Sequence, residues 1–232
     1  MPDITIKSLD NTQFGAYCAM PKGDRGPGML VIQEIFGVNA YMRKLCDDYA
    51  AKGYIAVCPD LFWRQQPGIQ LTDKTAAEWD HAMELFKGFD VEAGVRDLLS
   101  TLAHIRSIDG CSGKVGAVGY CLGGKMAYLM AARSDVDATV GYYGVDLDKM
   151  LDEVREIRMP LMMHIAGLDK YMPPPVREKV LTAFRKNPVI QAYVYENADH
   201  AFARIGGQHF DQTAADLANK RTDEFFTQNL RG

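Results

Sequence analysis

The chain has 232 residues, 47% of them apolar, and its 26 Lys and Arg against 30 Asp and Glu leave a formal net charge of −4. That is enough apolar material for a full core in one α/β domain, 1–232, and it excludes a disordered or fibrous chain. Mild acidity without a basic patch argues against a nucleic-acid partner, and five scattered cysteines without CxxC or His-rich spacing suit a reduced, cytoplasmic protein without a structural metal. The opening Met1-Pro-Asp-Ile-Thr-Ile6 lacks a leader pattern, and no apolar run approaches the length of a membrane span. In chain order, residues 4–9 and 13–20 alternate as two antiparallel strands turned at Asp10-Asn11. The apolar run 29–32 is a buried strand that ends in Gln33-Glu34-Ile35-Phe36-Gly37. Asn39 caps a helix to about Lys52, Gly53 stops it, and 54–58 is the next buried strand.

From 59 to 90 the periodicity is poor at first, with Phe62, Trp63, Pro67 and Gly68 in an aromatic excursion of the kind that builds a pocket wall. Helical spacing resumes at Ala76, Trp79, Met83 and Phe86, and a long amphipathic helix covers 91–108. After the strand that begins at Lys114 come a helix to Ala132, a strand at 138–143 and a helix at 148–157. A strand at 160–165, a helix at 176–186, a strand at 190–196 and a helix at 213–229 complete the chain. Strands alternating with helices predict a mainly parallel sheet with right-handed crossovers, helices on both faces and the N-terminal hairpin at one edge.

Within Lys114-Val-Gly-Ala-Val-Gly119-Tyr-Cys121-Leu-Gly123-Gly124-Lys125, Cys121 occupies a turn between strand and helix, bracketed by glycines two residues to either side. This is the nucleophile-elbow pattern with sulfur in the nucleophile's place. A lone cysteine is ordinarily a small core residue; the bracket sets Cys121 apart from Cys18, Cys46, Cys58 and Cys111. A dinucleotide-binding turn is the rival reading, but the stretch is not G-x-G-x-x-G and no acidic residue closes the strand 138–144. The first N–H groups of the helix after Cys121 favour a thiolate.

Chemistry in open parallel sheets gathers at the carboxyl ends of the strands, where Glu34, Cys121, Asp169 and His200 fall. Histidine is the side chain whose ordinary pKa, about 6.5, suits general-base work. His81 and His104 lie in helical patterns, His164 within a strand and His209 in a loop with little to recommend it. His200 follows the last strand and is the best-placed base. Asp169 reads either as a turn aspartate bonding its own backbone or as the carboxylate that orients the base. The order nucleophile, acid, histidine is that of α/β-hydrolases. Asp146 and the neighbouring Asp199 compete for the acid's place, and spacing alone excludes neither.

The stretches Gln33-Glu-Ile-Phe-Gly-Val-Asn39, Cys58-Pro-Asp-Leu61, Val118-Gly-Tyr-Cys-Leu-Gly-Gly124, Val140-Gly-Tyr-Tyr-Gly144 and His200-Ala-Phe-Ala-Arg204 together resemble the dienelactone hydrolase, or carboxymethylenebutenolidase, family of α/β-hydrolases. The resemblance implies Cys121 as nucleophile, His200 as base and Asp169 as orienting acid, with an oxyanion hole from the backbone N–H groups of Leu122 and Ile35. It further implies that Glu34 bonds the resting thiol until substrate displaces it, which spares the sulfur from oxidation. Arg204 would receive a substrate carboxylate, and Phe36, Trp79, Phe86 and Tyr143 would line the substrate pocket. No cofactor or metal is implied. The implied partner is a small lactone or ester, the implied setting bacterial catechol or chlorocatechol degradation, and a monomer the default state.

The chain also departs from the resembled pattern. Trp79 stands where a second carboxylate-binding arginine is expected, Met83 and Phe86 occupy aromatic positions, and Ala201 replaces a serine. Arg64 is a candidate to restore the missing charge. A broader carboxylesterase or thioesterase of the same fold therefore stays open as an alternative, and a non-enzymatic thiol sensor at Cys121 is a further one, disfavoured because no resolving cysteine is nearby.

Overall fold

The N-terminal alternation of apolar and polar residues forms a hairpin in which β1 (Asp3–Lys7) pairs antiparallel with β2 (Gln13–Ala19), Asp3 opposite Tyr17 and Lys7 opposite Gln13. Asn11 takes the left-handed conformation that the turn requires (φ 67°). This computed structural model describes residues 3–231, so the first two residues of the opening stretch and the last residue lie outside it. The described chain divides into two compact units, one up to Ala117 and one from Val118, with the division inside a strand.

In the first unit, β2 also pairs antiparallel with β4 (Ile55–Pro59), and β3 (Gly26–Ile32) pairs parallel with β4. Helix α1 (Ala40–Ala51) buries Met42, Cys46, Tyr49 and Ala50, which fall on one face, and the Asn39 side-chain Oδ1 accepts the Met42 N–H at 3.1 Å. Thr75 caps helix α2 (Ala76–Lys87): its Oγ1 accepts the Glu78 N–H at 3.2 Å while the same hydroxyl donates to the Glu78 carboxylate at 3.0 Å. Asp90 caps α3 (Val91–Ser107), whose buried face carries Val95, Leu98, Leu102 and Ile105.

Strand β5 (Cys111–Tyr120) contains the division, and α4 (Leu122–Arg133) follows it. The second unit continues with β6 (Ala138–Tyr142), β7 (Leu161–Ala166), α5 (Pro174–Phe184), β8 (Ile190–Tyr195) and α6 (Gln212–Leu230). β6 pairs parallel with β7, and β7 with β8. The strands make one eight-stranded sheet in the order β1-β2-β4-β3-β5-β6-β7-β8. This is the expected α/β fold, mainly parallel with an antiparallel hairpin at one edge. Among the described residues no helix is long and apolar enough to cross a membrane.

The expected helix over 148–157 does not form. Two short 3₁₀ turns, Leu147–Lys149 and Leu151–Glu156, stand in its place. Asp146, just before these turns, is left-handed (φ 57°), and its carboxylate receives Lys125 at 3.2 Å and Lys149 at 2.6 Å. Leu147, Val154 and Ile157 still reach the core, because spacing near three suits a 3₁₀ turn as well as an α-helix. Helix α5 starts two residues earlier than expected, since Pro174 at its first position has no N–H to lose.

Candidate active site

Strand β5 ends in a run of buried residues, and α4 is buried throughout its first ten, so the chain must reverse at Cys121 with no solvent to accommodate it. Cys121 adopts φ 56°, ψ −112°, a conformation that a side chain bearing a β-carbon takes only when its surroundings enforce it, at a cost of about 1–3 kcal/mol. Two glycines make the turn possible. A β-carbon at Gly119 would lie 1.9 Å from the Gly123 carbonyl oxygen, and one at Gly124 would lie 2.5 Å from that of Tyr142. The Cys121 N–H donates to the Tyr142 carbonyl at 3.0 Å, which ties the turn to the end of β6. Amides in the first turn of α4, including that of Leu122, have no acceptor within the helix and favour negative charge at its start.

His200 lies in the loop between β8 and α6. Its Nδ1 is 2.7 Å from Asp169 Oδ2, and Asp169 is 4% exposed. The other Asp169 oxygen accepts the Tyr171 N–H at 2.8 Å, so both readings of this aspartate hold: it bonds its own turn and it holds the imidazole. With Nδ1 donating to the carboxylate, Nε2 is left as the working nitrogen. That Nε2 is buried and has no nitrogen or oxygen partner among the described residues. Burial alone would lower the His200 pKa, but the charge of the Cys121 sulfur, the bond to Asp169 and a hydrogen-bonding contribution from Cys121 outweigh it and raise the pKa to about 10. Cys121, His200 and Asp169 therefore share one electrostatic site, in the order sulfur, imidazole, carboxylate. A buried nitrogen left to the sulfur is what proton transfer to or from sulfur or substrate requires.

Two aromatic rings meet the imidazole edge-on, Tyr143 at 5.2 Å and Tyr171 at 4.9 Å between centroids. Tyr143 was expected at the site; Tyr171 was not, and its only sequence signal is an aromatic two residues beyond Asp169. Asp199 is no rival for the acid's role, since its oxygens accept the His200 backbone N–H at 2.6 Å and pair with His209 at 3.2 Å. Asp146 is excluded by its two lysines. Arg204 is half-buried, with its backbone N–H bonded to the Ala201 carbonyl at 3.0 Å. Among the other histidines, His81 bonds Gln66 at 2.9 Å on the surface, burial lowers the pKa of half-buried His104, and His164 is packed inside β7.

The remaining candidates belong to the first unit. Glu34, Ile35 and Phe36 follow β3 and are buried; Glu34 is 1% exposed, which rules out a solvated rim charge. Gln33 fixes this segment by accepting the Leu61 N–H at 3.0 Å and donating to the Glu34 carbonyl at 3.2 Å. Trp79 and Phe86 are half-buried on α2, and the Trp79 ring packs against Phe36 at 5.9 Å. Arg64 does not restore a missing charge. Its guanidinium donates to both oxygens of buried Asp97, at 2.8 and 3.1 Å, and to Asp10 at 2.8 Å, while it stacks on the Trp63 ring.

Among the described residues no group of three or more His, Cys, Asp or Glu side chains converges to hold a metal ion. A cleft of about 1030 Å³ lined by Leu151, Val154, Ile157, Ala183 and Val189, among others, contains none of the candidate residues.

The sequence profile described as the Dienelactone hydrolase family matches residues 14–230. A relative from Azospirillum brasilense is 51% identical over 99% of this chain and 100% of its own length. The carboxymethylenebutenolidase of Pseudomonas putida is 43% identical over 96% of this chain and 94% of its own. A crystal structure from Klebsiella pneumoniae subsp. pneumoniae is similar at a TM-score of 0.85 with 26% identity, covering 97% of both chains. A dienelactone hydrolase-like promiscuous phosphotriesterase from metagenomic libraries has a TM-score of 0.81 at 22% identity over 98% of both chains and supports the fold. With this fold and these relatives, the chain belongs to the dienelactone hydrolase family and is a lactone or ester hydrolase.

Proposed function

We propose that this protein opens the enol-lactone ring of dienelactone (carboxymethylenebutenolide) to maleylacetate, through Cys121, His200 and Asp169, within a bacterial pathway that degrades catechols or chlorocatechols. The observation that supports the reading most is the 2.7 Å contact between His200 and buried Asp169, which leaves Nε2 buried and directed to the Cys121 sulfur that acts on the ring.

In this reading the Cys121 thiolate attacks the lactone carbonyl carbon, forming a C–S bond. The oxyanion is met by the Leu122 and Ile35 amides that the family resemblance assigns. Collapse breaks the ring C–O bond, and the enolate oxygen leaves as His200 supplies a proton. His200 then takes a proton from water, which attacks the thioester and releases the acid with the thiolate restored. Glu34 holds the resting thiol, Arg204 pairs with the substrate carboxylate, and Phe36, Trp79, Phe86 and Tyr143 form the pocket wall. The protein acts in the cytoplasm as a single-domain monomer, on a small molecule and without a cofactor.

A second reading has its own observation. Arg64 is consumed by Asp97 and Asp10, and Trp79 packs on Phe36, so the insertion offers aromatic surface where a second cation was expected. That favours less charged esters or thioesters as further substrates. A substrate panel decides: the lactone reading expects kcat/KM on carboxylated dienelactone to exceed that on an uncharged aryl ester by at least about tenfold. Equal or reversed values select the broader esterase.

A further inference from the structure

His164 is a fully buried histidine that the proposed chemistry leaves unused. It is the middle of a run of hydrogen bonds through the second unit. Arg221 donates to the Tyr195 hydroxyl at 3.1 Å, Tyr195 to His164 Nδ1 at 2.8 Å, and His164 Nε2 to the Thr222 hydroxyl at 2.9 Å. Thr222 donates to the Tyr142 hydroxyl at 2.6 Å, and Tyr142 to the Asn219 side-chain oxygen at 3.0 Å. The direction follows from the Asn219 end. Tyr142 spends its one proton on the Asn219 oxygen, so Thr222 must give its own to Tyr142, His164 Nε2 must donate to Thr222, and Nδ1 is left to accept from Tyr195. Burial, and then the charge of Arg221, hold His164 neutral with a pKa lowered to about 3, so its ring also has one proton to give. The Thr222 hydroxyl supplies the hydrogen-bonded link between the His164 ring and the Tyr142 hydroxyl, and the two rings also pack at 4.5 Å.

The backbones of the same residues reach the candidate active site. The Tyr142 carbonyl accepts the amide of the strained Cys121 at 3.0 Å. The His164 carbonyl accepts the Tyr143 N–H at 2.7 Å, and the Tyr143 ring packs on His200. Apolar packing by itself leaves a side chain some freedom to shift, whereas a fully satisfied buried network selects one arrangement. Helix α6 thus fixes the side chains of Tyr142 and His164, the residues whose carbonyls hold the Cys121 amide and the Tyr143 amide.

We propose that Thr222 is a positioning residue for Cys121 and His200, acting through Tyr142 and His164. This rests on the assignment of Cys121 and His200 to the reaction. A displacement of about 1 Å at reacting groups costs up to about 10²-fold in rate, so the loss of one link in this run is expected to cost about tenfold.

The test compares Thr222→Val, which keeps the shape and removes the hydroxyl, with Thr222→Ser, which keeps the hydroxyl, and with Tyr142→Phe. Thr222→Val is expected to lower kcat about tenfold with KM changed less than about twofold, and Thr222→Ser to restore kcat. Alkylation of Cys121 by iodoacetamide, followed on its own peptide by mass spectrometry, is expected to slow in Thr222→Val and Tyr142→Phe and recover in Thr222→Ser. Wild-type kcat and alkylation rate in Thr222→Val, with only a lower Tm, overturn the proposal. Should Thr222→Val fail to fold, undiminished Cys121 alkylation in folded Tyr142→Phe overturns it equally. Alkylation needs no substrate, so a wild type inactive on lactones and esters refutes the proposed function while the Thr222 series still gives its own answer.

Discussion

Two buried carboxylates, one in each unit, carry a cation or potential cation at nearly the same distance and differ in everything around it. Asp97 has both oxygens taken by Arg64, at 2.8 and 3.1 Å, and one of them also by the Trp63 indole N–H at 2.8 Å. The guanidinium in turn uses its remaining edge on Asp10. Asp169 gives one oxygen to a backbone amide and one to His200 at 2.7 Å, and the far nitrogen of that ring is buried without a nitrogen or oxygen partner among the described residues. The first cluster closes on itself and stabilises the fold. The second leaves one ring nitrogen to a sulfur, and a buried pair that can pass a proton is a capacity for reaction.

Breaking the second pair should therefore cost rate, and breaking the first should cost stability. The largest effect is expected from Cys121→Ala, which removes the attacking atom: kcat on any lactone or ester substrate falls by about 10⁴-fold or more, with far-ultraviolet circular dichroism unchanged. Residual turnover near wild type removes the nucleophile assignment. Next, Asp169→Asn is expected to lower kcat by roughly 10³-fold, because an amide can present an N–H to Nδ1 and trap the wrong tautomer. A loss confined to KM would show that this carboxylate does not orient the base.

Asp97→Asn supplies the contrast. It strips the charge from a buried oxygen pair while the partially exposed Arg64 retains Asp10, so a loss of roughly 2 kcal/mol in denaturant-derived stability is expected, with kcat held within about twofold. An Asp97→Asn protein as stable as wild type but slow would reverse the roles assigned to the two carboxylates.

The smallest expected effect concerns pH. Burial, reinforced by Arg221, lowers the His164 pKa to about 3, against about 6.5 in the unfolded chain. The unfolded state thus binds a proton below pH 6.5 that the folded state refuses. The contribution is fully present above that pH and is lost as pH falls from about 6.5 toward 3, by at most about 1.4 kcal/mol per pH unit. Tyr195 and Arg221 face Nδ1, Thr222 faces Nε2, and Tyr142 and Tyr193 flank the ring, so no carboxylate among these contacts offsets the new charge. Urea titrations from pH 7 to pH 4 should give a shallower pH slope for His164→Gln than for wild type; equal slopes would assign the acid sensitivity elsewhere.

Much of this was legible beforehand for a local reason. The glycines around Cys121 report a backbone reversal decided within six residues, and Asn39, Asp90 and the Asp10-Asn11 turn are equally local devices. The helix expected at 148–157 gives way to two 3₁₀ turns, whose apolar spacing near three reads the same in the sequence, while Asp146 before them is held by Lys125, twenty-one residues earlier in the chain. Arg64 looked available for substrate because nothing near it in the chain announces Asp97, thirty-three residues on. Tyr171 and Thr222 escaped notice because an aromatic or a hydroxyl acquires meaning only from the ring it meets.

Sequence by itself determined the alternation of strands and helices, the strained turn at Cys121 and the residue types available at strand ends, since periodicity and turn chemistry act over a few neighbours. Tertiary structure alone decided which aspartate reaches His200, that Arg64 is spent on Asp97, and that His164 sits within a directed run of hydrogen bonds. Those outcomes depend on burial, which turns a weak contact between exposed groups into one that fixes tautomer, charge and direction.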